Sequence, residues 1–163
     1  MEIKKLEWDS QFFGFHVGDV FLEEDFSESK AAFVTSDQIA AFNSSQIESL
    51  SANVIESLGE GLVGYISISA VKGLNTSYLS AAKASELTDK QTAQFSAAQI
   101  GDLSSSALNA LSSDALVSIT ANAMVGLDET QIGDLYENTV GFFTSRQVKV
   151  LSPVEVNALK PAV

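Results

Sequence analysis

A pattern of hydrophobic and polar positions repeats every eight residues through most of the chain. From Ser96 to Leu135 the sequence reads SAAQIGDL, SSSALNAL, SSDALVSI, TANAMVGL and DETQIGDL. We number the positions of each eight-residue unit from one to eight. Position one is a small polar residue, position four is often Gln, and positions five and eight are apolar. Self-similarity at a fixed period is the sequence signature of a repeat architecture.

The repeat is predicted to cover residues 35–159. Fifteen units fit the pattern, and a break in register is placed at residues 83–87. Residues 1–34 are predicted to form an N-terminal capping segment, and residues 160–163 a short tail. The residues that depart from the rule are Gly59 and Tyr136 at position one and Thr92 at position five.

An eight-residue period requires the chain to turn once in every unit. A helix advances by about 100° per residue, so eight residues overshoot two full turns by about 80°. An apolar stripe with this period would wind around a continuous helix instead of facing one core. The spacing of three and then five residues also excludes a strand, whose side chains alternate with a period of two.

Position one supplies the residue at which a new helix begins. Ser, Thr, Asn and Asp are preferred N-caps, and Gln or Glu at position four completes a capping box. Positions five and eight lie three residues apart, on one face of a short helix. The sequence therefore predicts an all-α solenoid of short helices. Small residues at positions six and seven are expected to let neighbouring helices approach closely; they include Gly101, Gly126, Gly133, Ala110 and Ala158.

Residues 1–34 have a different character. They contain Trp8, His16 and several Phe residues, and the alternation of apolar side chains at Phe13, Phe15 and Val17 predicts a short strand or hairpin at about residues 12–22. This strand or hairpin is expected to cap one end of the solenoid.

Two stretches carry resemblances to known proteins. The opening KLEWDSQFFGFHVG, at Lys5–Gly18, resembles the start of GNAT-type amino-sugar N-acetyltransferases, which implies a relationship to N-acyltransferases. The glycine-containing turn with which that family binds the acetyl-CoA pyrophosphate at a helix N-terminus does not follow, so no catalytic residue is carried over. The Ser/Thr-x-x-Gln-Ile-x-x-Leu units resemble repeats of large bacterial surface and secreted proteins, which implies such a location, although no signal peptide is visible at the N-terminus.

Composition narrows the function classes. The chain has 9 basic and 21 acidic residues, a net charge of −12, which argues against binding to nucleic acid or to an anionic membrane surface. Without cysteine it forms neither a disulfide nor a thiolate metal site. No apolar stretch is long enough to insert into a membrane. We expect no cofactor, no metal site and no catalytic residue.

Several local patterns are better explained by architecture than by chemistry. The G-x-G-x-x-G match at residues 59–64 lies inside the repeat register, and His16 lies in the alternating aromatic segment. The acidic residues at 23–25 are expected to be solvated, and Asp128 to cap a helix. The glycosylation-like triplets at Asn43 and Asn75 also coincide with capping positions.

The most consistent hypothesis is a non-enzymatic structural or interaction scaffold that binds a protein partner or itself. The aromatic residues outside the regular core positions form the expected interaction surface; they are Tyr65, Tyr78, Tyr136 and Phe142. Two alternatives stay open: a relative or fragment of an N-acyltransferase, and a designed or chimeric self-assembling repeat protein.

Overall fold

The computed structural model describes residues 28–159 and shows an all-α fold in that part of the chain. Helices of three to six residues alternate with short turns, and no strand occurs among these residues. The α-helices are α1 (Glu28–Ala31), α2 (Ser36–Ala41), α3 (Ser44–Glu48), α4 (Ala52–Ser57), α5 (Ala81–Ser85), α6 (Asp89–Thr92), α7 (Ala97–Gly101), α8 (Ser105–Ala110), α9 (Ser113–Ser118), α10 (Ala121–Met124), α11 (Glu129–Gly133), α12 (Glu137–Gly141), α13 (Ser145–Val148) and α14 (Pro153–Ala158). Three 3₁₀ helices lie between α4 and α5: η1 (Leu62–Tyr65), η2 (Val71–Gly73) and η3 (Thr76–Tyr78). The all-α prediction is confirmed; the predicted N-terminal strand or hairpin and the tail at 160–163 lie outside the described residues.

Nearly every α-helix begins at a position-one side chain. From α2 to α11, and in α13 and α14, that side chain accepts a hydrogen bond from the backbone N–H of position four. Where position four is Gln or Glu, its side chain accepts the position-one N–H in return, which completes the predicted capping box. Helix α12 differs because it follows Tyr136, which provides no side-chain cap.

Positions five and eight build one continuous core, as the spacing predicts. Ile100 and Leu103, for example, are both buried, and the same holds for nearly every unit before residue 136. The polar exception at position five is also buried: the Thr92 hydroxyl donates to the backbone O of Ala115 at 2.8 Å. Thr92 therefore serves the core by bonding to a later unit.

Each helix packs against the third element further along the chain. The pairs with the most extensive contacts include α5 with α8, α6 with α9, α7 with α10 and α11 with α14. Single helices of this length do not form alone, because nucleation costs more than one turn returns. The stability of each helix therefore depends on a neighbour that lies three units away.

The repeat region extends further towards the N-terminus than predicted. Residues 27–34 read SESKAAFV, and Ala31 and Val34, at positions five and eight, are buried in the common core. Helix α1 packs against α4 in the same way that later helices pack. The described part of the predicted capping segment thus belongs to the array of units.

The break in register lies at Asn75–Leu79 and not at residues 83–87. Helix α5 runs through the predicted break and is capped by Ser80, so residues 80–87 (SAAKASEL) form a regular unit. Lys83 at position four and the small Ala84 at position five had hidden this unit. The residues left over, NTSYL, form a unit of five that contains η3.

The sequence separation of hydrogen bonds between units shows that the unit at 75–79 is three residues shorter than the others. The Gln91 side chain bonds to backbone oxygens 28 and 25 residues earlier, across the short unit. The equivalent bonds of Gln147, which do not cross it, span 31 and 28 residues. The same spatial neighbours are therefore kept on both sides of the short unit.

Close approach of the backbones explains some, but not all, of the predicted small residues. A Cβ on Gly126 would overlap the backbone O of Ala97, and a Cβ on Gly101 would lie 2.8 Å from the backbone O of Gly126. By contrast, a Cβ on Gly133 would meet no atom within 4 Å. The expectation of a close approach at Gly133 was wrong, and it holds for the contact between α7 and α10.

None of the helices in residues 28–159 has the length and hydropathy that a membrane crossing requires.

Candidate functional site

The buried polar side chains form a ladder at position four. Gln91, Gln99, Gln131 and Gln147 are all buried. In each, Oε1 accepts the N–H of position one of its own unit, while Nε2 donates to backbone oxygens at positions five and eight of the fourth unit before it. One amide thus forms hydrogen bonds with the first backbone N–H of its own unit and with backbone oxygens at the end of another helix. We call this set the position-four ladder.

The geometry of the ladder is regular. Gln91 Nε2 lies 2.8 Å from the backbone O of both Val63 and Ile66, and Gln99 Nε2 lies 2.9 and 3.0 Å from those of Val71 and Leu74. The position-five oxygen already accepts the position-eight N–H of its own unit, as Val63 O accepts from Ile66, so the glutamine amide adds a second donor there and a donor to the position-eight oxygen. Sequence reasoning found the capping half of these side chains and missed the half that reaches across the array.

Lys83 occupies the ladder position of the unit that follows the break. Its Nζ donates to the backbone O of Leu58 at 2.7 Å and lies 3.3 Å from Oε1 of Glu86. The other carboxylate oxygen of Glu86 accepts the Val63 N–H at 2.9 Å. This ion pair therefore replaces the glutamine amide and contributes to the architecture.

The patterns that suggested chemistry in the sequence have structural roles where they are described. Residues 59–64 contain a turn with Gly61 at φ +80° and lead into a 3₁₀ helix after α4, so the strand that a dinucleotide site requires is missing there. Asn43, Asn75 and Asp128 each accept a backbone N–H as helix caps, as predicted. His16, the acidic residues at 23–25 and the acyltransferase-like stretch lie outside the described residues.

The predicted aromatic surface divides into two places. Tyr136 and Phe142 are 64% and 42% exposed and flank the two ends of α12. Tyr65, which is also exposed, ends η1 in a much earlier unit, whereas Tyr78 is partly buried and packs against the core. The structure therefore brings Tyr136 and Phe142 into one unit and turns Tyr78 inwards.

An apolar surface at the C-terminal end was missed by the sequence analysis. Val148 and Val156 are 37% and 45% exposed although they occupy position five, which is buried in the interior units. The next unit that would cover them, three units further along, is not present among the described residues. We call Val140, Val148 and Val156, the position-five residues of the last three units, the end face.

A shallow recess opens beside the end face, between α11 and α14. It has a volume of about 190 Å³ and is lined mainly by apolar residues, with Glu137 at its edge. Gly133 and Ala158 line it, and they occupy the same unit positions as Gly101 and Gly126, which come into close contact four units earlier. The recess thus marks a looser contact between the last pair of helices.

The described residues contain no cluster of three or more His, Asp or Glu side chains with the arrangement of a metal site. The chain matches no protein-family model, and neither the curated proteins nor the solved structures compared with it gave a match.

Tyr136→Ser is expected to raise the free energy of unfolding by about 1 kcal/mol, because serine at this position would supply the cap that α12 lacks. The backbone at Tyr136 already has the extended conformation of the other caps, with φ −70° and ψ 151°. Urea unfolding followed by circular dichroism measures the change. Thr144→Ala, which removes an existing cap from α13, is the control and should lower stability by a similar amount. An unchanged or lower stability of Tyr136→Ser would contradict the prediction.

Proposed function

We propose that the protein is a non-catalytic α-solenoid scaffold that presents its C-terminal units to another protein chain. The observation that carries the proposal is the position-four ladder. Its buried amides are bonded at both ends, and no buried side-chain nitrogen or oxygen in the described chain lacks a hydrogen-bond partner. An active site needs polar groups directed towards a substrate, and here the buried polar groups are directed at the protein backbone.

The distribution of exposed apolar side chains supports a binding role for the C-terminal units. Exposed large hydrophobic residues are concentrated after residue 116, where they are Val117, Val125, Tyr136, Phe142, Val148, Val150, Val154 and Val156. Scattered apolar residues on a surface are ordinary, whereas a concentration in one region is typical of an interaction site. A location at a bacterial surface or in a secreted protein remains part of the proposal, on the strength of the repeat resemblance.

The alternative function is that of an N-acyltransferase relative, and it rests on the stretch Lys5–Gly18. Isothermal titration calorimetry of the full chain with acetyl-CoA at millimolar concentration separates the two. We expect no heat of binding, since no phosphate-binding turn follows the stretch. A saturable heat would overturn the non-catalytic proposal.

A second measurement tests whether the exposed apolar residues are surface or core. Phe142→Ser and Val154→Thr are expected to change the free energy of unfolding by no more than about 0.5 kcal/mol, as surface substitutions usually do. Leu116→Ser, in the buried core, is the contrasting variant and should destabilise the protein strongly. Equal losses from all three would contradict a binding surface at these residues.

A further inference from the structure

Two groups of units pack against each other in the interior of the protein. Each group resembles in sequence a second group of units nearer one end of the described chain. One side consists of residues 58–74, and the other of the three consecutive units at 80–103. Lys83, Gln91 and Gln99 donate from the second side to backbone oxygens of the first, at distances of 2.7 to 3.0 Å. This interior interface shows how the position-four side chains of one group of units bind the backbone of another.

The C-terminal units resemble the first side in sequence. Residues 136–151 read YENTVGFFTSRQVKVL, against GEGLVGYISISAVKGL at 59–74. The residues of the C-terminal units that are identical to their interior counterparts include Val140, Gly141, Val148, Lys149 and Leu151, which match Val63, Gly64, Val71, Lys72 and Leu74. In the interior the valines of this set are buried, and at the C-terminal end Val148 is exposed.

The first three units resemble the second side in sequence. Residues 27–50 read SESKAAFVTSDQIAAFNSSQIESL, against SAAKASELTDKQTAQFSAAQIGDL at 80–103. Lys, Gln and Gln stand at position four in both, as Lys30, Gln38 and Gln46 in the first units. Residues 28–50 and residues 136–151 therefore each resemble one side of an interface that the chain forms in its interior.

A glycine at the C-terminal end has the space that a partner backbone fills in the interior. A Cβ on Gly64 would lie 2.7 Å from the backbone O of Glu86, at position seven of the unit that begins at Ser80. A Cβ on its counterpart, Gly141, would meet no atom within 4 Å. The residue that corresponds to Glu86 in the first units is Phe33, which is 78% exposed.

We propose that residues 136–151, which carry Val140 and Val148 of the end face, bind a second copy of this chain, head to tail, through residues 28–50 of that copy. Position seven of the incoming copy, Phe33, lies over Gly141, as Glu86 lies over Gly64. This deepens the proposed scaffold function by naming the partner. A head-to-tail contact uses two different surfaces, so each copy keeps one of them available and growth continues beyond the dimer.

Sedimentation velocity of the full chain over a range of concentrations tests the proposal. We expect the weight-average mass to rise continuously past that of a dimer. It should rise further with added NaCl, because each copy carries a net charge of −12 and salt screens the repulsion between copies. A strict monomer at every concentration and salt level overturns the proposal, and so does a mass that stops at the dimer.

Gly141→Ala separates association from folding. The added methyl group has space in the single copy but would meet the partner backbone, so we expect association at least about tenfold weaker. The unfolding midpoint should be unchanged or slightly higher, since Gly141 is the last residue of α12 and alanine favours a helix over glycine. Gly133→Ala is the matched control: its Cβ also meets nothing, and its interior counterpart, Glu56, carries a side chain without harm to the packing. We expect Gly133→Ala to associate like the wild type. Equal association of Gly141→Ala and wild type overturns the proposed contact.

Mixing the two proteins checks the direction of growth. Gly141→Ala copies keep intact residues 27–50, so they add to a wild-type end face and then block it. The average mass of wild-type assemblies should therefore fall when the variant is added, and no fall overturns a head-to-tail arrangement. The two proposals can fail separately. If the protein is monomeric and does not bind acetyl-CoA, self-association is overturned and the scaffold function is retained. If the protein binds acetyl-CoA, the scaffold function is overturned whatever the mass of the protein.

Discussion

Gln91→Glu is expected to lower the free energy of unfolding by about 3 kcal/mol at neutral pH. The carboxylate still accepts the Thr88 N–H, but it cannot donate to the backbone oxygens of Val63 and Ile66. The Val63 oxygen keeps the N–H of Ile66 as a donor, but the Ile66 oxygen loses the amide. A buried carbonyl that loses its donor costs about 1–3 kcal/mol, and the negative charge adds repulsion at both oxygens. Because Gln91 is 1% exposed, water does not replace the lost donor. Chemical denaturation of the variant and the wild type gives the difference.

The loss should depend on pH in a defined direction. Burial and the two carbonyl dipoles raise the pKa of the introduced carboxyl group in the folded protein above its value in the unfolded chain. Below the unfolded pKa, about 4.3 for glutamic acid, the group is protonated in both states and donates one hydrogen bond. As pH rises through the interval up to the folded pKa, the stability of the variant falls relative to the wild type. A difference that stays constant over this interval would contradict the assigned role of the Nε2 donor.

The unit at residues 35–42 provides the matched control. Gln38 caps Thr35 in the same way, but it is half-buried, and no hydrogen bond from its Nε2 is found in the described chain. Gln38→Glu should therefore change the stability of the unassociated chain by less than about 0.5 kcal/mol, measured at a concentration below that of self-association. Glu155 already fills this position in the unit of α14 and completes its capping box. A loss for Gln38→Glu as large as that for Gln91→Glu would show that capping alone explains both.

Gly126→Ala is expected to destabilise the protein by about 3 kcal/mol, the upper end of the usual cost of overpacking. The methyl group would overlap the backbone O of Ala97 and lie 2.6 Å from its carbonyl carbon. Backbone atoms cannot rotate away as a side chain can, so α7 and α10 would have to separate. The thermal unfolding midpoint, measured by calorimetry, reports the loss.

Gly133→Ala serves as the control for Gly126→Ala. Gly133 is the last residue of α11, and its substitution is expected to be neutral or to stabilise the protein by up to about 1 kcal/mol, since alanine favours a helix over glycine. A similar loss from both variants would show that glycine acts through chain flexibility instead of close approach.

The local structure could be predicted from the sequence because it is encoded within single units. A Ser at position one, such as Ser112, determines where its helix begins, and the three-residue spacing of Leu116 and Ile119 determines which face is buried. These are interactions between residues close in sequence, and the eight-residue period repeats each of them many times. The caps and the core positions could accordingly be predicted from the sequence.

What was missed depends on contacts between distant units. The Gln amides donate to backbone oxygens some 25 to 31 residues earlier. This partnership depends on how many units separate two neighbours in space, and the eight-residue period alone does not give that number. The exposure of Val148 depends on which later unit is present to cover it. The break was misplaced for a related reason: Lys83 looks unlike a glutamine, and only its bond to the backbone O of Leu58 identifies its position.

The short unit at Asn75–Leu79 shows that the fold tolerates a change in the length of one unit. Because each helix is started by its own cap, the loss of three residues there leaves Ser80 to begin the next helix correctly. The start of each helix is therefore set by its own unit and does not depend on the length of the unit before it. Insertions and deletions between caps are therefore absorbed locally, and lineages of such proteins can vary in length without losing the fold.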